Sequence, residues 1–141
     1  MARNILMLEG EGDKQFFGAL LNDLNIKAKI IIGNGKRSGK NNLIDNIEEV
    51  IKEFINDDLR KLVMIMDADG IAENSLGYAP TIKKVIEKLG NQVEQLPTNT
   101  GDPLQFCLPV IDQIPRIHVW IMPHNKDNGS FEDYIQTYSI K

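Results

Sequence analysis

Several carboxylates in this chain stand where they could act together. Asp67 and Asp69 flank one alanine at the end of the apolar run Leu62–Met66, two apart, so that both can point to the same side. Glu9 ends a second apolar run, Asn4–Leu8, and Asp13 follows four residues later. Glu132 and Asp133 come just after the loop that follows a third run, Ile117–Met122. On one rim these acids would repel one another, a pair about 4 Å apart by about 1 kcal/mol in water and roughly 4 kcal/mol at an effective dielectric of 20. A hard divalent cation removes that cost. Mg2+ (or Mn2+) is held by a few carboxylates, waters and substrate phosphates. It activates water and neutralises charge developing on a phosphoryl group, with a second ion completing the clamp. Taken singly, each feature has a plainer use: Asp-x-Asp at a strand end also serves as a turn or a helix cap. Asp13 is a natural helix N-terminal residue, able to accept orphan backbone N–H groups.

A second feature is the basic, glycine-rich stretch Gly33-Asn34-Gly35-Lys36-Arg37-Ser38-Gly39-Lys40. It is not a nucleotide-cradling P-loop, because neither Gly33 nor Gly35 is separated by four residues from the Gly39-Lys40 pair and Asn41 occupies the hydroxyl position. Two readings remain: a solvated loop, or a finger that grips a nucleic-acid phosphate through Lys36, Arg37 and Lys40. His124, after the last apolar run, is either a surface loop residue or a ligand for manganese and a proton shuttle. His118 and Trp120, inside that run, read as packing residues, and Cys107 as a small apolar core residue.

The elements that must position these residues alternate. Strands are expected at Asn4–Leu8, Ala28–Ile32, Leu62–Met66 and Ile117–Met122. The third is a continuous apolar run of the kind found in buried parallel strands. Helical spacing covers Asp13–Leu24, with Phe16, Phe17, Leu20, Leu21 and Leu24 on its apolar stripe. It recurs over Asn42–Phe54, with Leu43, Ile44, Ile47, Val50 and Ile51, and over Thr81–Leu89, which Gly90 closes as a left-handed cap. A last short helix is expected over Ser130–Tyr138, anchored by Tyr134 and Tyr138. Between Val93 and Pro115, prolines at 97, 103, 109 and 115 point to loops and an edge strand. This alternation predicts an α/β sandwich with a mainly parallel central sheet flanked by helices. Ligands then sit at the C-terminal ends of the strands, where the acids and the basic loop fall.

The 141 residues fit one domain, 1–141. Hydrophobic residues make up 42% and charged residues 26%, which excludes a disordered or collagen-like chain. A net charge of −4 is no basic coat for non-specific nucleic-acid binding, so contact with nucleic acid would need metal ions to supply positive charge. A single cysteine excludes an internal disulfide and a cysteine-based zinc cage. No apolar run reaches the roughly 18–20 residues needed to span a bilayer. The run Ile5–Leu8 is too short for a signal-peptide core. A cytoplasmic protein with no membrane association is expected.

Two motifs resemble the Toprim domain, shared by topoisomerases, primases, small ribosomal-RNA maturases and the overcoming-lysogenisation-defect nucleases. They are Ile5-Leu6-Met7-Leu8-Glu9-Gly10-Glu11-Gly12-Asp13 and Leu62-Val63-Met64-Ile65-Met66-Asp67-Ala68-Asp69-Gly70. Val119-Trp120-Ile121-Met122-Pro123-His124-Asn125 with Gly129-Ser130-Phe131-Glu132-Asp133-Tyr134 is similar to a Toprim-related prokaryotic family. That family pairs Met-Pro-x-Asn with Gly-x-Leu-Glu-Asp, and here Phe131 replaces the leucine. The resemblance covers nearly the whole chain and implies a Toprim-like, Rossmann-like fold. It implies catalytic roles for Glu9, Asp67 and Asp69, Glu9 as a metal ligand or proton carrier and the two aspartates as magnesium ligands. Asp13 would support them, and Glu132 would serve a second ion. No tyrosine nucleophile can be assigned, which speaks against topoisomerase chemistry. The expectation is a Mg2+- or Mn2+-dependent phosphotransfer enzyme on nucleic acid, DNA or RNA, foremost a nuclease. One alternative is a non-catalytic metal- or nucleic-acid-binding module completed by a partner chain or a homodimer, which the short stretch after Glu132 suggests. Another is a small nucleotide phosphohydrolase.

Overall fold

The computed structural model describes residues 4–56, 60–67, 78–99, 102–109 and 114–122. The chain runs β1 (Asn4–Leu8), α1 (Glu11–Asp23), β2 (Lys29–Ile32), α2 (Lys40–Asn56), β3 (Lys61–Asp67), α3 (Tyr78–Leu89), β4 (Glu94–Leu96), β5 (Leu104–Cys107) and β6 (Ile117–Met122). Its six strands form one sheet in the order β2-β1-β3-β6-β5-β4. The first four of these run parallel; β5 pairs antiparallel with β6, and β4 antiparallel with β5. The α/β class and the mainly parallel sheet are as expected, and β1 and β6 span the residues read from the sequence.

Strand order reverses at β1, which pairs with β2 on one side and β3 on the other. Two crossovers of one hand that leave in opposite directions place their helices on opposite faces. Accordingly α2 and α3 share one face, and their Leu43, Ile44, Ile47, Val50, Ile51, Val85 and Leu89 form the main core. They pack with Ile5, Met7, Leu62, Met64, Met66, Ile117, Val119 and Ile121, the alternate residues of the sheet. The α1 helix lies on the other face, where Gly18 sits against Ile30 of β2.

Three local expectations need correction. The α1 helix begins at Glu11 with Gly10 as its extended N-cap, so Asp13 is in the first turn and is not the cap. Glu11 and Asp13 still face the positive end of the helix dipole. At the other end Asn25 takes a left-handed φ of 56°. The Ile26 and Asn25 amides return to the Leu21 and Asn22 carbonyls, a Schellman closure. The apolar stripe of α1 is only partly covered, with Phe16 43%, Leu20 41% and Leu24 59% exposed. Finally, the proline-rich stretch holds two strands. Pro97, Pro103, Pro109 and Pro115 all fall outside β4 and β5, so they punctuate the strands without interrupting a ladder. The edge strand expected there is β4. The left-handed Gly90 after α3 is as expected, with φ of 76°, and Cys107 is buried in the core. The expected helix Ser130–Tyr138 lies outside the described residues. Among those described, no helix is long and apolar enough to cross a membrane.

The turn after β2 depends on Gly33. It is buried at φ +56°, and a side chain there would overlap the Arg37 carbonyl. Gly33→Ala should therefore cost about 1–3 kcal/mol. Gly12→Ala, in α1 with open space around it, should stabilise by about 0.5–1 kcal/mol. Urea unfolding midpoints check both, and an unchanged midpoint for Gly33→Ala would contradict the turn described here.

Candidate functional site

Strand order reverses at β1, and open α/β sheets bind their ligands beyond the C-terminal strand ends at such a reversal. The register pairs Leu6 with Val63 and Met7 with Met64, and its continuation sets Glu9 level with Met66. Glu9 is then one residue from Asp67 across the strands. The Asp67 backbone N–H donates to Glu9 Oε2 at 2.9 Å. Two of the acids singled out in the sequence therefore meet, and both are half-buried. A hydrogen bond to an ionised carboxylate is shorter and stronger than one between neutral groups, so this contact fixes where the Glu9 carboxylate sits.

The basic loop is tied to the end of β1. The Gly33 N–H donates to the Leu8 carbonyl and the Gly39 N–H to the Glu9 carbonyl, each at 2.8 Å. Within the loop, Asn34 Oδ1 accepts from the Lys36 and Arg37 amides at 2.9 and 2.7 Å. The Asn34 N–H donates in turn to the Arg37 carbonyl at 3.1 Å. The Asn42 side chain donates to the Ser38 carbonyl at 2.8 Å. The loop is thus stitched to itself and to the backbone of Glu9. Exposed Lys36 and Arg37 line a groove of about 640 Å³ that continues along β2 with Lys14, Lys29, Glu11 and Glu49. Lys40 opens α2, and its Nζ lies 3.5 Å from Oγ1 of Thr81, a fully buried residue of α3.

Asp13 stands in the first turn of α1, half-buried. Asp69, Glu132, Asp133 and His124 lie outside the described residues. Among the described residues, no group of three or more His, Cys, Asp or Glu is placed to hold a metal ion. The donors present at the rim, Glu9 and Asp67, are hard oxygens, the ligand type that suits Mg2+ or Mn2+. Sequence reasoning missed Asn34 and Thr81 as organisers of this rim. The Gly33-Asn34-Gly35 turn signal marked the first; nothing in the sequence marked the contact of Lys40 with a residue forty-one positions away.

His118 lies on the opposite face of the sheet from the main core. It is half-buried, and its Nε2 is buried with no hydrogen-bond partner. Burial, followed by repulsion from Lys61, holds its pKa below the ordinary histidine value. Two positions along, the Trp120 Nε1–H donates to the Met122 sulfur at 2.9 Å.

Fold and site together define an α/β protein with a doubly wound, mostly parallel sheet and a carboxylate pair at its switch point. Residues 3–140 match the family described as protein of unknown function (DUF3226), and the chain belongs to that family. Comparison with curated proteins and with solved structures gave no match.

The histidine makes stability depend on pH in a defined direction. His118 is harder to protonate folded than unfolded, so the unfolded state binds more protons once pH falls below about 6.5. The penalty is absent above that pH, grows as pH falls and levels off below the folded pKa. The melting temperature of the wild type should fall between pH 7.5 and 5, and His118→Phe should flatten part of that slope. Equal slopes in the two proteins would contradict the assignment.

Proposed function

We propose that this protein is a Toprim-like, divalent-metal-dependent phosphotransfer enzyme acting on nucleic acid, foremost a nuclease. The observation that carries the reading is the contact of Asp67 with the Glu9 carboxylate at the switch point of the sheet. The motifs around these two residues are those that resemble Toprim, and their contact supports the reading. Mg2+ or Mn2+ would be held by Glu9 and Asp67, with Asp69, Asp13 and Glu132 as the further acids that the sequence supplies. Bound there, the ion supplies Lewis-acid stabilisation and lowers the pKa of water. Glu9, held by the Asp67 amide, would hold the metal or accept a proton. Lys36 and Arg37 stand on a loop anchored to the Glu9 backbone and would hold a phosphate by charge-assisted hydrogen bonds.

The alternative is a non-catalytic binding module, in which the Glu9 and Asp67 that meet at the rim bind a ligand without turnover. Such a module would bind nucleic acid or metal and be completed by a partner chain or a second copy.

Cleavage of plasmid and single-stranded DNA and RNA in Mg2+ and in Mn2+ separates the two readings. Asp67→Asn should lower cleavage by roughly a hundredfold or more, the scale of losing one charge-stabilising group. Glu9→Gln should do the same with the fold intact, because the amide oxygen can still accept the Asp67 N–H. Full activity in either variant would overturn the site. Metal and nucleic-acid binding without turnover by the wild type would favour the module.

A further inference from the structure

The β2 strand stands at one end of the sheet. Among the described residues it pairs on one side only, with β1. The Gly33 N–H donates to the Leu8 carbonyl, and backbone groups point to alternate sides along a strand. Ile31 therefore bonds toward β1, while Ile30 and Ile32 present their backbone groups to the outer edge. The Ile32 carbonyl is used within the turn, where it accepts the Gly35 N–H at 2.8 Å. The Ile32 N–H and both backbone groups of Ile30 face outward for a further strand. The side chains suit one as well, since three isoleucines in succession are half-buried. The opposite edge of the sheet differs: β4 is three residues long, with Glu94 and Gln95 exposed. Short polar edges resist pairing, and apolar ones invite it.

The groove of about 640 Å³ along β2 is polarised from end to end. The α2 helix starts beside the end of β1, where the Gly39 N–H meets the Glu9 carbonyl. The β3 strand that follows it begins at Lys61, opposite Asn4 at the start of β1. So α2 runs antiparallel to β2. Glu49 lies nine residues, about 14 Å, along α2 from Lys40. Ile30 lies three strand steps, about 10 Å, back from Gly33. Glu49 therefore stands past Ile30, toward the start of β2. The rim end of the groove holds Lys14, Lys36 and Arg37 against Glu11, and the far end holds Glu49 and Glu53 against Lys29. A polyanion laid along this groove would meet acids at the far end. A second copy turned by a two-fold axis sets basic end on acidic end twice over.

We propose that two copies of this chain pair through β2, antiparallel, with the two-fold axis at Ile30. The two Ile30 residues exchange both N–H···O=C bonds, and each Ile32 N–H donates to the Ala28 carbonyl of the second copy. Lys36 and Arg37 of each copy then face Glu49 of the other, and the two sheets join into one of twelve strands. The inference does not rest on the metal-dependent reading, and its test needs no metal or substrate. In that reading Lys36 and Arg37 hold a phosphate, so nucleic acid would compete with the second copy for them.

Sedimentation of the full chain should show a dimer at micromolar concentration. Proline is tolerated at an edge position whose N–H faces outward, so Ile30→Pro should leave the circular dichroism unchanged and raise the dimer dissociation constant roughly tenfold or more. Arg37 and Glu49 are exposed. Arg37→Glu and Glu49→Arg should each weaken the dimer by roughly tenfold or more, because a reversal acts twice in a two-fold pair, and the double variant should restore it. The charge series decides the matter if Ile30→Pro fails to fold. A wild type that stays monomeric up to about 1 mM would overturn the proposal. So would a dimer indifferent to all of these changes, which would use another face, or a double variant no tighter than the single ones.

Discussion

One hydrogen bond organises the rim of this molecule: the backbone N–H of Asp67 to the carboxylate of Glu9. It ties the ends of two parallel strands that lie sixty positions apart in sequence, to the nearest ten, and it does so where the sheet order reverses. A reversal leaves a crevice that no crossover connection covers. Side chains at the ends of β1 and β3 therefore stay accessible while their strands remain fully buried one residue earlier, as Leu8 and Met66 are. The loop after β2 then takes its position from the same strand, through the carbonyls of Leu8 and Glu9. The basic tip at Lys36 and Arg37 is thus referred to the same backbone that presents the acid.

The two faces of the sheet are built differently. On one, α2 and α3 interlock with Ile5, Met7, Leu62, Met64 and Met66 in a continuous apolar layer. On the other, α1 contributes no fully buried residue, and the strands show half-buried Val63, Ile65, His118 and Trp120. Most of the stability must come from the first face, since burial of a large aliphatic side chain contributes about 1.5–3 kcal/mol. The second face carries the histidine whose protonation burial opposes.

Much of this was legible in the sequence, for a local reason. Apolar runs of strand length ending in Glu9 and Asp67, and helical repeats such as Leu43, Ile44, Ile47, Val50 and Ile51, are patterns a few residues wide. Convergence of Glu9 with Asp67 followed from one topological rule. The failures were of three kinds. Asp13 gave up the cap to Gly10 because the backbone at Glu11 and Gly12 was free to enter the helix. β5 was hidden among prolines, because four strand residues flanked by turns carry too little periodicity to be read. The contact of Lys40 with Thr81, on another helix, was missed, since no local pattern reports a tertiary contact. Family membership adds breadth without function, since it covers residues 3–140 under a description that names no activity.

The central claim is that the ends of β1 and β3 form a divalent-cation site. The most direct measurement is Mn2+ titration of the isotope-labelled protein, followed by paramagnetic broadening of backbone amides. The account predicts that the amides of Glu9, Gly10, Gly39 and Asp67 broaden first, at Mn2+ levels far below those of the protein, and that added Mg2+ restores them. Broadening that starts elsewhere, or that spreads evenly over surface carboxylates, would contradict it.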